Sequence, residues 1–408
     1  MLVIAQLAPP SLLTAARRSA GLVKYLDRLG YQVTLVTSLL SGAGRGVPGA
    51  QRTIRTRDLM VSGLNWRRGS FKSMESEGSG DYSAQPSPLA SWVVPDLGLL
   101  SWAPFALTRA LGLARSTDCV ITTAPPYSVH LIGLALKRLH GVPWIADFRD
   151  GWRFEGNRPA FELPGADALD GTLERTVAHS ADRVIAVTEP IACDLSRRFE
   201  IDAQTITNGF DPEERVEPDD LGLLRADRTS LLYTGTLGYS GISPQPLLEG
   251  LRRLRRDDPR RATEIELVFA GPLSAQERAW IEAPDLDGAA RAVGMLDRDK
   301  VLALQRAADA LIVITHGQSG LATGKLYEYL AARRPILVLG QETAAGRIVD
   351  RAGAGLAVDA ADPASIASGL ARLPGMSPEA REDMLGHYSY AGLAERLAEQ
   401  IEIARATH

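Results

Sequence analysis

Residues 323–330, with the sequence TGKLYEYL, decide the fold class of this chain. They lie between two apolar runs, 310–314 (ALIVI) and 335–339 (PILVL), each of which has the length of a buried strand. The pattern predicts a strand, a loop, a helix that begins near Thr323, and a second strand. This order is half of a doubly wound α/β unit.

The loop and the first turn of this helix suit a bound anion. Gly317, Gly320 and Gly324 let a ligand approach the backbone, and the free N–H groups at a helix start favour negative charge. Lys325 adds a positive charge, and Glu328 shares its helix face about one turn later, so a phosphate and a ribose diol would fit here. Such glycines can also mark only a tight loop, and Lys-x-x-Glu can be an ordinary surface ion pair. Both interpretations stay open.

The composition is that of a globular protein with room for two domains, with 408 residues of which 45% are hydrophobic. The net charge of −4 and the pI near 6.0 argue against a nucleic-acid partner. Cys119 and Cys193 are too few for a disulfide framework and indicate a reducing compartment. No apolar run has the length of a membrane span, and the first residues lack the basic region of a signal peptide. We therefore expect a cytoplasmic protein.

The first half of the chain predicts a parallel sheet. A strand at 2–7, a helix over 13–29 and a strand at 32–37 follow one another, as in a right-handed crossover. The loop after the first strand has no Gly-x-Gly-x-x-Gly, so a dinucleotide site is not expected there. From 41 to about 90, Gly, Ser and Arg dominate and predict a mobile loop. Its basic residues are either solvated or in contact with an anionic lipid surface or a phosphorylated acceptor.

Charged residues follow a predicted strand at 142–146. The sequence DFRDGW, residues 147–152, brings Asp147, Arg149 and Asp150 to the carboxyl end of that strand. Open α/β sheets bind their ligands at such strand ends, so the three residues are candidates for a site. The same residues could equally form a structural ion-pair cluster.

The second half repeats the order of strand, glycine loop and helix. A turn-rich segment at 207–212 separates it from the first half. Glycine loops at Gly235, Gly271 and Gly294 follow predicted strands, and the next helix starts near Asp297, an acid that stabilises a helix start. The layout predicts a second Rossmann-like domain whose loops open on one edge of its sheet.

The order of several motifs along nearly the whole chain resembles that of family 4 glycosyltransferases with the two-domain GT-B fold. The motifs are VIAVT (184–188), NGFD (208–211), YTGT (233–236), VFAG (268–271) and GKLYEYLA (324–331). Three further features resemble those of a bacterial branch of this family that builds surface polysaccharides. They are PPxS at 125–128, WIADFRDGW at 144–152, and Asp96 with Trp102. The joint order and spacing of the motifs carry the resemblance.

The resemblance implies an α/β protein of the GT-B fold, with two Rossmann-like domains whose parallel sheets face each other across a cleft. Residues 1–205 would form the acceptor-binding domain, with the mobile loop at about 41–90. Residues 206–385 would form the nucleotide-sugar-binding domain, and residues 386–408 a C-terminal helix that packs back on the N-terminal domain.

The resemblance also implies a retaining, metal-independent hexosyltransferase. Such an enzyme moves a sugar from a nucleotide-diphosphate sugar to a saccharide, lipid-linked or small-molecule acceptor in polysaccharide or glycoconjugate biosynthesis. The nucleotide sugar is a co-substrate, and neither a cofactor nor a nucleic acid is implied. The oligomeric state is left open, as is a peripheral contact with the inner face of the membrane.

Roles for single residues follow from the same resemblance. The implied donor-site residues are Glu328 for the ribose, Gly235, Thr236 and Lys325 for the diphosphate, and Gly294 and Met295 for the base, together with Gly271, Thr323 and Gly324. In the first domain, Asp150 would orient the acceptor or support its charge, with Arg149 as its partner and Asp147 beside them.

Three departures from the family pattern bear on this site. Gly320 stands eight residues before the ribose-binding acid, where the family has a first acid, so that contact would pass to the backbone. The Arg and Lys that commonly follow the first glycine loop are missing, and Lys325 would replace them as the phosphate cation. Arg149 stands where a histidine is often found, with His130 and His316 as fallback candidates.

Two other functions stay open. A non-catalytic GT-B subunit that binds a nucleotide sugar would explain the missing acid and cations. A nucleotide-sugar epimerase of the same fold would convert the donor alone. Transfer or hydrolysis assays distinguish the first from an enzyme, and product analysis without an acceptor distinguishes the second.

Overall fold

A computed structural model describes residues 1–11, 13–42, 46–59, 88–156, 160–238, 242–315, 319–376 and 382–407. These residues fall into two compact units. The first unit holds the described residues up to 211 together with 389–407, and the second holds those from 212 to 388. The chain therefore returns to the first unit for its last helix.

The first unit is built, in the residues just given, on a seven-stranded parallel sheet with the order β3-β2-β1-β4-β5-β6-β7. Its strands are β1 (Leu2–Ala5), β2 (Val33–Ser38), β3 (Ala50–Thr56), β4 (Val120–Ala124), β5 (Trp144–Phe148), β6 (Arg183–Ala186) and β7 (Ala203–Thr205). Its helices are α1 (Thr14–Arg28), α2 (Gly98–Ser101), α3 (Ala103–Ala114), α4 (Ser128–His140), α5 (Ala166–Ser180), α6 (Glu189–Phe199) and α15 (Tyr390–Ala406).

Helices cover both faces of this sheet, which explains why its central strands are apolar throughout. Every residue of β1, β4 and β5 is buried, as is typical of parallel strands. On one face, Trp102 and Trp144 belong to a core cluster with α3 and α4. On the other face, Leu22 and Leu26 of α1 pack with Leu397 of α15. Burial of each such side chain contributes about 1.5–3 kcal/mol to folding.

The C-terminal helix α15 packs on α1. It begins after Ser389, whose hydroxyl accepts a hydrogen bond from the Gly392 N–H at 3.1 Å. The Tyr390 ring lies so close to Gly21 of α1 that a Cβ there would come within 2.3 Å of it. A larger residue at position 21 would therefore force the Tyr390 ring to move. None of the helices in the described part of the chain is long and apolar enough to cross a membrane.

The second unit is built, within the described ranges, on a six-stranded parallel sheet with the order β10-β9-β8-β11-β12-β13. Its strands are β8 (Thr229–Thr234), β9 (Ile265–Ala270), β10 (Ala290–Gly294), β11 (Ala310–Ile314), β12 (Ile336–Leu339) and β13 (Gly355–Val358). Its helices are α7 (Gln245–Asp257), α8 (Pro259–Thr263), α9 (Ala275–Ile281), α10 (Arg298–Ala307), α11 (Gly324–Ala332), α12 (Ala344–Ala352), α13 (Pro363–Arg372) and α14 (Glu382–Tyr388).

The stretch at 323–330 forms the helix that the sequence predicts. Helix α11 lies between β11 and β12, which pair in parallel, and Thr323 occupies its N-cap position. Arg333, in the left-handed conformation with φ of 56°, ends the helix. The strand, loop, helix and strand order is therefore confirmed.

One strand lies where the sequence predicts a loop. The structure forms β3 at the edge of the first sheet, next to β2, within the stretch 41–90. The strand carries Gln51, Arg52 and Arg55, so it lacks the apolar run that marks the other strands. Polar and charged side chains are common on edge strands, which have only one neighbour. Residues 43–45 and 60–87 of the same stretch lie outside the described residues.

Candidate functional site

The second sheet has a topological switch point between β8 and β11, because strands are added on one side up to β10 and on the other from β11 onward. Ligands of open α/β sheets bind at the carboxyl ends of the strands that flank such a point. Gly235 directly follows β8, and the segment 319–323 leads from the end of β11 into α11. The residues predicted to bind the donor lie on these segments and on the neighbouring strand ends.

Three glycines, Gly235, Gly271 and Gly294, line this edge of the sheet, which we call the glycine edge. Gly235, Gly271 and Gly294 have positive φ angles of 109°, 151° and 80° and lie at the ends of adjacent strands. The Gly235 N–H donates to the Ala270 carbonyl and the Gly271 N–H to the Gly294 carbonyl, each at 2.8 Å. A Cβ on Gly271 would lie 2.3 Å from the Gly235 carbonyl oxygen, so no larger residue fits there. The strand ends thus present bare backbone to a ligand.

Lys325, the second residue of α11, lies against this glycine edge. Its Nζ is 3.9 Å from the centroid of the Tyr233 ring and 2.9 Å from the place that a Cβ on Gly235 would take. The side chain is half-buried, and desolvation lowers the pKa of its ammonium group to about 7. No carboxylate of the described residues forms an ion pair with it. A half-buried cation of this kind suits an anionic ligand.

The start of α11 carries charge of the same sign as Lys325. Thr323 at the N-cap makes no capping hydrogen bond through its side chain. Its buried Oγ1 has no hydrogen-bond partner within the described ranges. The first N–H groups of the helix, from Gly324 onward, carry partial positive charge. Lys325 and the helix start therefore favour an anion together.

Glu328 lies about one turn further along α11 and is held by two side chains of α10. Arg298 Nη1 donates to its Oε1 at 2.9 Å, and Gln305 Nε2 donates to its Oε2 at 3.4 Å. The Glu328 side chain is 11% exposed. Gln305 also donates to the Oγ1 of Thr234, the last residue of β8, at 3.0 Å. The carboxylate therefore has a fixed place beside the glycine edge.

The remaining donor-site candidates lie in the adjoining loops. The Thr236 carbonyl accepts a hydrogen bond from the Tyr233 hydroxyl at 3.0 Å, which fixes the loop after β8. Met295 directly follows β10 and is 44% exposed. The segment 319–323 is joined to the start of α12, because the Ala344 N–H donates to the Ser319 carbonyl at 2.8 Å. The first and last of these contacts hold the two loops next to Lys325 in place.

In the first unit, Asp147 forms a buried ion pair. Its two carboxylate oxygens accept hydrogen bonds from Arg18 Nη2 at 2.8 Å and Nε at 3.1 Å. The two side chains are only 1% and 2% exposed. Arg18 also donates to the Ile206 carbonyl, just after β7, at 2.9 Å. The pair joins α1 to the ends of β5 and β7, with Arg18 rather than Arg149 as the partner of Asp147. A catalytic role for Asp147 stays a prediction.

Arg149 and Asp150 follow β5 at the carboxyl edge of the first sheet. Arg149 Nη2 donates to the Pro125 carbonyl at 2.5 Å, and burial lowers the pKa of its guanidinium. Although Asp150 is exposed, the surrounding chain displaces part of its water and raises the pKa of its carboxyl, and Arg149 opposes this shift. Among the described residues, no hydrogen bond joins the two side chains. Arg149 therefore influences Asp150 through space.

A buried network fixes the loop that carries these two residues. Trp152 Nε1 donates to Asp170 Oδ1 at 2.9 Å, and Arg153 pairs with the other Asp170 oxygen at 3.2 Å. Glu174 accepts two hydrogen bonds from the Arg198 guanidinium, at 2.7 and 2.9 Å, and one from the Arg153 N–H at 3.3 Å. Both acids are fully buried. The loop after β5 is therefore anchored to α5 and α6.

Of the two fallback histidines, the structure describes His130, which lies in a core and not at a sheet edge. His130 is fully buried in the core of the first unit, with its Nδ1 at 2.8 Å from Thr122 Oγ1. Desolvation lowers the pKa of its ring to about 3, so the ring is neutral at physiological pH. His316, like Gly317, lies outside the described residues.

The sequence assigned no role to three residues of the site in the second unit: Tyr233, which lies in the YTGT motif, and Arg298 and Gln305, which lie in none. Arg298 stands between Asp297 and Asp299, and these acids have the pattern of an ordinary helix start. The signal that was present is the spacing of Arg298 and Gln305, which are seven residues apart and thus share one face of α10.

Two protein-family models match the chain, one in each unit. Residues 14–209 match the glycosyl transferase 4-like domain. Residues 228–374 match glycosyl transferases group 1, and this range contains the glycine edge, Lys325 and Glu328. No curated protein matches the chain.

Solved structures of trehalose-phosphate synthases are similar over nearly the whole chain. The UDP-forming α,α-trehalose-phosphate synthase from Burkholderia vietnamiensis has a TM-score of 0.67 at 14% identity, covering 100% of this chain and 99% of that one. The Burkholderia xenovorans enzyme in complex with glucose-6-phosphate has a TM-score of 0.64 at 15% identity, covering 98% and 99%. An E. coli trehalose-6-phosphate structure bound with UDP-2-fluoro glucose has a TM-score of 0.64 at 14% identity, covering 98% of each.

At these identities the likeness shows the fold, which is the GT-B fold with two parallel α/β sheets. The two family-model matches show that the chain carries two glycosyltransferase domains. It is therefore a two-domain protein of the GT-B fold, with a glycosyl transferase 4-like domain followed by a glycosyl transferases group 1 domain.

Proposed function

We propose that the protein is a retaining glycosyltransferase that moves a sugar from a nucleotide-diphosphate sugar to a saccharide, lipid-linked or small-molecule acceptor. One observation carries the proposal: the half-buried Lys325 ammonium lies beside the bare backbone of Gly235, with no carboxylate partner in the described part of the chain. Glu328 lies about one turn away on the same helix and faces the same edge. A cation and a fixed carboxylate at this spacing suit a diphosphate and the ribose next to it.

Stabilisation of the leaving diphosphate is the main chemical task of such a site. When the bond between the sugar and the diphosphate breaks, negative charge develops on a phosphate oxygen. Lys325 and the N–H groups at the start of α11 would offset this charge, because they are in place before the reaction begins. In a retaining reaction of this kind the leaving phosphate can take the acceptor proton, so no strong protein base is needed.

We assign the acceptor to the first unit. Asp150 would orient the acceptor hydroxyl or support its charge, with Arg149 close by, and the network around Asp170 and Glu174 would keep this loop in place. We further propose a metal-independent hexosyl transfer that serves polysaccharide or glycoconjugate biosynthesis, as in the branch that builds surface glycans. The site of action would be the cytoplasm, with a peripheral contact at the inner face of the membrane.

A thermal-shift screen tests the donor site. A ligand that binds only the folded state raises the melting temperature, so the protein is heated with UDP, GDP, ADP and their sugars, with and without Mg²⁺. UDP-glucose comes first, because the E. coli structure holds UDP-2-fluoro glucose. We expect one nucleotide to raise Tm equally with and without Mg²⁺, and we expect Lys325→Ala to lose this shift.

Lys300→Ala is the matched control, because Lys300 is an exposed lysine of α10 in the same unit. It should keep the full shift. Absence of a shift with every nucleotide, or an equal shift in Lys325→Ala, would contradict the proposed donor site.

Product analysis then distinguishes the proposed enzyme from the two alternatives. A transferase releases the nucleoside diphosphate and forms a new glycoside when an acceptor is present. A non-catalytic subunit binds the nucleotide sugar and leaves it intact. An epimerase converts the sugar of the donor without any acceptor.

A further inference from the structure

We propose that Arg298 is a positioning residue, which holds the Glu328 carboxylate in the orientation in which it accepts hydrogen bonds from the two hydroxyls of a donor ribose. The inference rests on the function proposed above. It extends that function because it assigns a role to a residue that lies on a different helix from Glu328 and outside every motif described.

Arg298 is the first residue of α10 and bridges two carboxylates. Its Nε and Nη2 bind Glu214 at 3.0 and 2.8 Å, and its Nη1 binds Glu328 at 2.9 Å. The guanidinium is planar, and the bidentate pair with Glu214 fixes that plane. The point from which Nη1 reaches Glu328 is therefore also fixed. A lysine, with a single point charge, could not bind both acids in this way.

Gln305 supports Glu328 from the same face of α10. It is fully buried, and its Nε2 donates to the other Glu328 oxygen at 3.4 Å and to Thr234 Oγ1 at 3.0 Å. The Tyr329 hydroxyl lies 3.1 Å from the same threonine oxygen. Each oxygen of the Glu328 carboxylate thus has its own donor on α10. The two contacts together restrict rotation of the carboxylate.

The orientation of this carboxylate matters because of where it lies. Thr234 directly precedes Gly235, and Lys325 is three residues before Glu328 on the same helix face. A ligand with its diphosphate at Lys325 and Gly235 would bring its next polar group, the ribose, to Glu328. A carboxylate accepts hydrogen bonds and a cis diol donates two, so their geometry depends on how the carboxylate is turned.

A thermodynamic cycle between protein and ligand tests the inference. Isothermal titration measures the Kd of the nucleoside diphosphate with the largest thermal shift, and that of its 2′,3′-dideoxy analogue. The proteins are the wild type, Arg298→Met, Glu328→Gln and a control, Arg252→Met. Arg252 is matched to Arg298, because it also bridges two carboxylates in the second unit, Glu249 and Asp285, with 21% exposure against 28%.

For the wild type and Arg252→Met, we expect removal of the diol to weaken binding about tenfold, the loss typical of hydrogen bonds to a charged group. For Arg298→Met and Glu328→Gln, the two ligands should bind within about twofold of each other, because the coupling between carboxylate and diol is lost. Arg298→Lys should lie between, since it keeps the charge without the fork. A role in stability alone would weaken both ligands equally and leave their ratio unchanged.

A tenfold diol effect that persists in Arg298→Met would overturn the inference. A wild type that binds both ligands equally well would overturn it too, while leaving the diphosphate site at Lys325 in place. A wild type that binds neither ligand would overturn the proposed function itself. If Arg298→Met has no cooperative melting transition, Arg298→Lys decides, and a wild-type diol effect in that variant counts against the inference.

Discussion

The charged residues at the carboxyl edges of the two sheets differ in whether an oppositely charged side chain pairs with them. At the edge of the second sheet, Lys325 is half-buried, and no carboxylate within the described ranges pairs with it. At the edge of the first sheet, Asp147 is as fully buried as its partner Arg18, and both of its oxygens are hydrogen-bonded. A complete buried pair holds elements together, whereas a desolvated charge without a partner costs stability. Of these two residues, only Lys325 can therefore offer its charge to a ligand.

Both charges stand out in the sequence in the same manner. Asp147 is the last but one residue of β5, and Lys325 is the second residue of the helix that follows β11. Both therefore lie near the carboxyl end of a parallel strand, where ligands are expected. What separates them is the neighbour that the fold supplies, Arg18 for Asp147 and the Tyr233 ring for Lys325. A charged residue at a strand end is therefore a candidate for function only after its partners are known.

Substitution of Asp147 tests this contrast most strongly. Asp147→Asn removes the charge that balances buried Arg18, so we expect the free energy of unfolding to fall by about 3–5 kcal/mol. Urea denaturation measures it. The matched control is Asp150→Asn, an exposed aspartate three residues later, which should change stability by less than about 0.5 kcal/mol. Wild-type stability of Asp147→Asn would show that the pair is not a scaffold element.

Lys325→Ala should lower turnover and not stability. Loss of one preorganised positive group at the leaving diphosphate should lower kcat by about 10²–10³-fold. Stability should stay level or rise slightly, because a desolvated cation is removed. The initial rate of nucleoside diphosphate release and the melting temperature report the two quantities. Wild-type turnover in this variant would exclude Lys325 from the diphosphate site.

The sequence predicted the order of the strands and helices better than the partners of the charged residues. The β11, α11 and β12 segments were predicted because buried strands and a helix start leave local patterns of apolar residues and glycines. The edge strand β3 was missed because its polar residues have no such pattern. Arg18 is 129 residues from Asp147, and Arg298 is 30 residues from Glu328. No local pattern encodes partners that only the fold brings together.

Asp150→Asn extends the contrast within the first unit. Asp150 is exposed and, in the described part of the chain, has no ion-pair partner, so its substitution should affect chemistry rather than stability. We expect turnover to fall about ten- to a hundredfold, in the range of a lost acid–base or orienting group, while donor affinity stays at the wild-type value. Steady-state kinetics with varied donor separates kcat from KM. Full activity would remove Asp150 from the acceptor site.

The smallest effect is expected from pH. Lys325 has a pKa of about 7 in the folded protein, and its ammonium form is the one that attracts a diphosphate. Affinity for a nucleotide sugar should therefore be highest below pH 7 and fall by at most about tenfold as pH rises from 6 to 8. Isothermal titration at several pH values measures it. Lys325→Arg, which stays charged throughout, should flatten the profile, and a flat wild-type profile would contradict the assignment.

A crystal structure of the protein with a bound nucleoside diphosphate tests the central claim most directly. We expect a phosphate oxygen within about 3 Å of Lys325 Nζ and of the backbone N–H groups at the start of α11. The ribose hydroxyls should face Glu328, with the Arg298 ion pair intact. A nucleotide bound at the edge of the first sheet, or one whose phosphates avoid Lys325, would contradict the claim that the glycine edge of the second unit is the donor site.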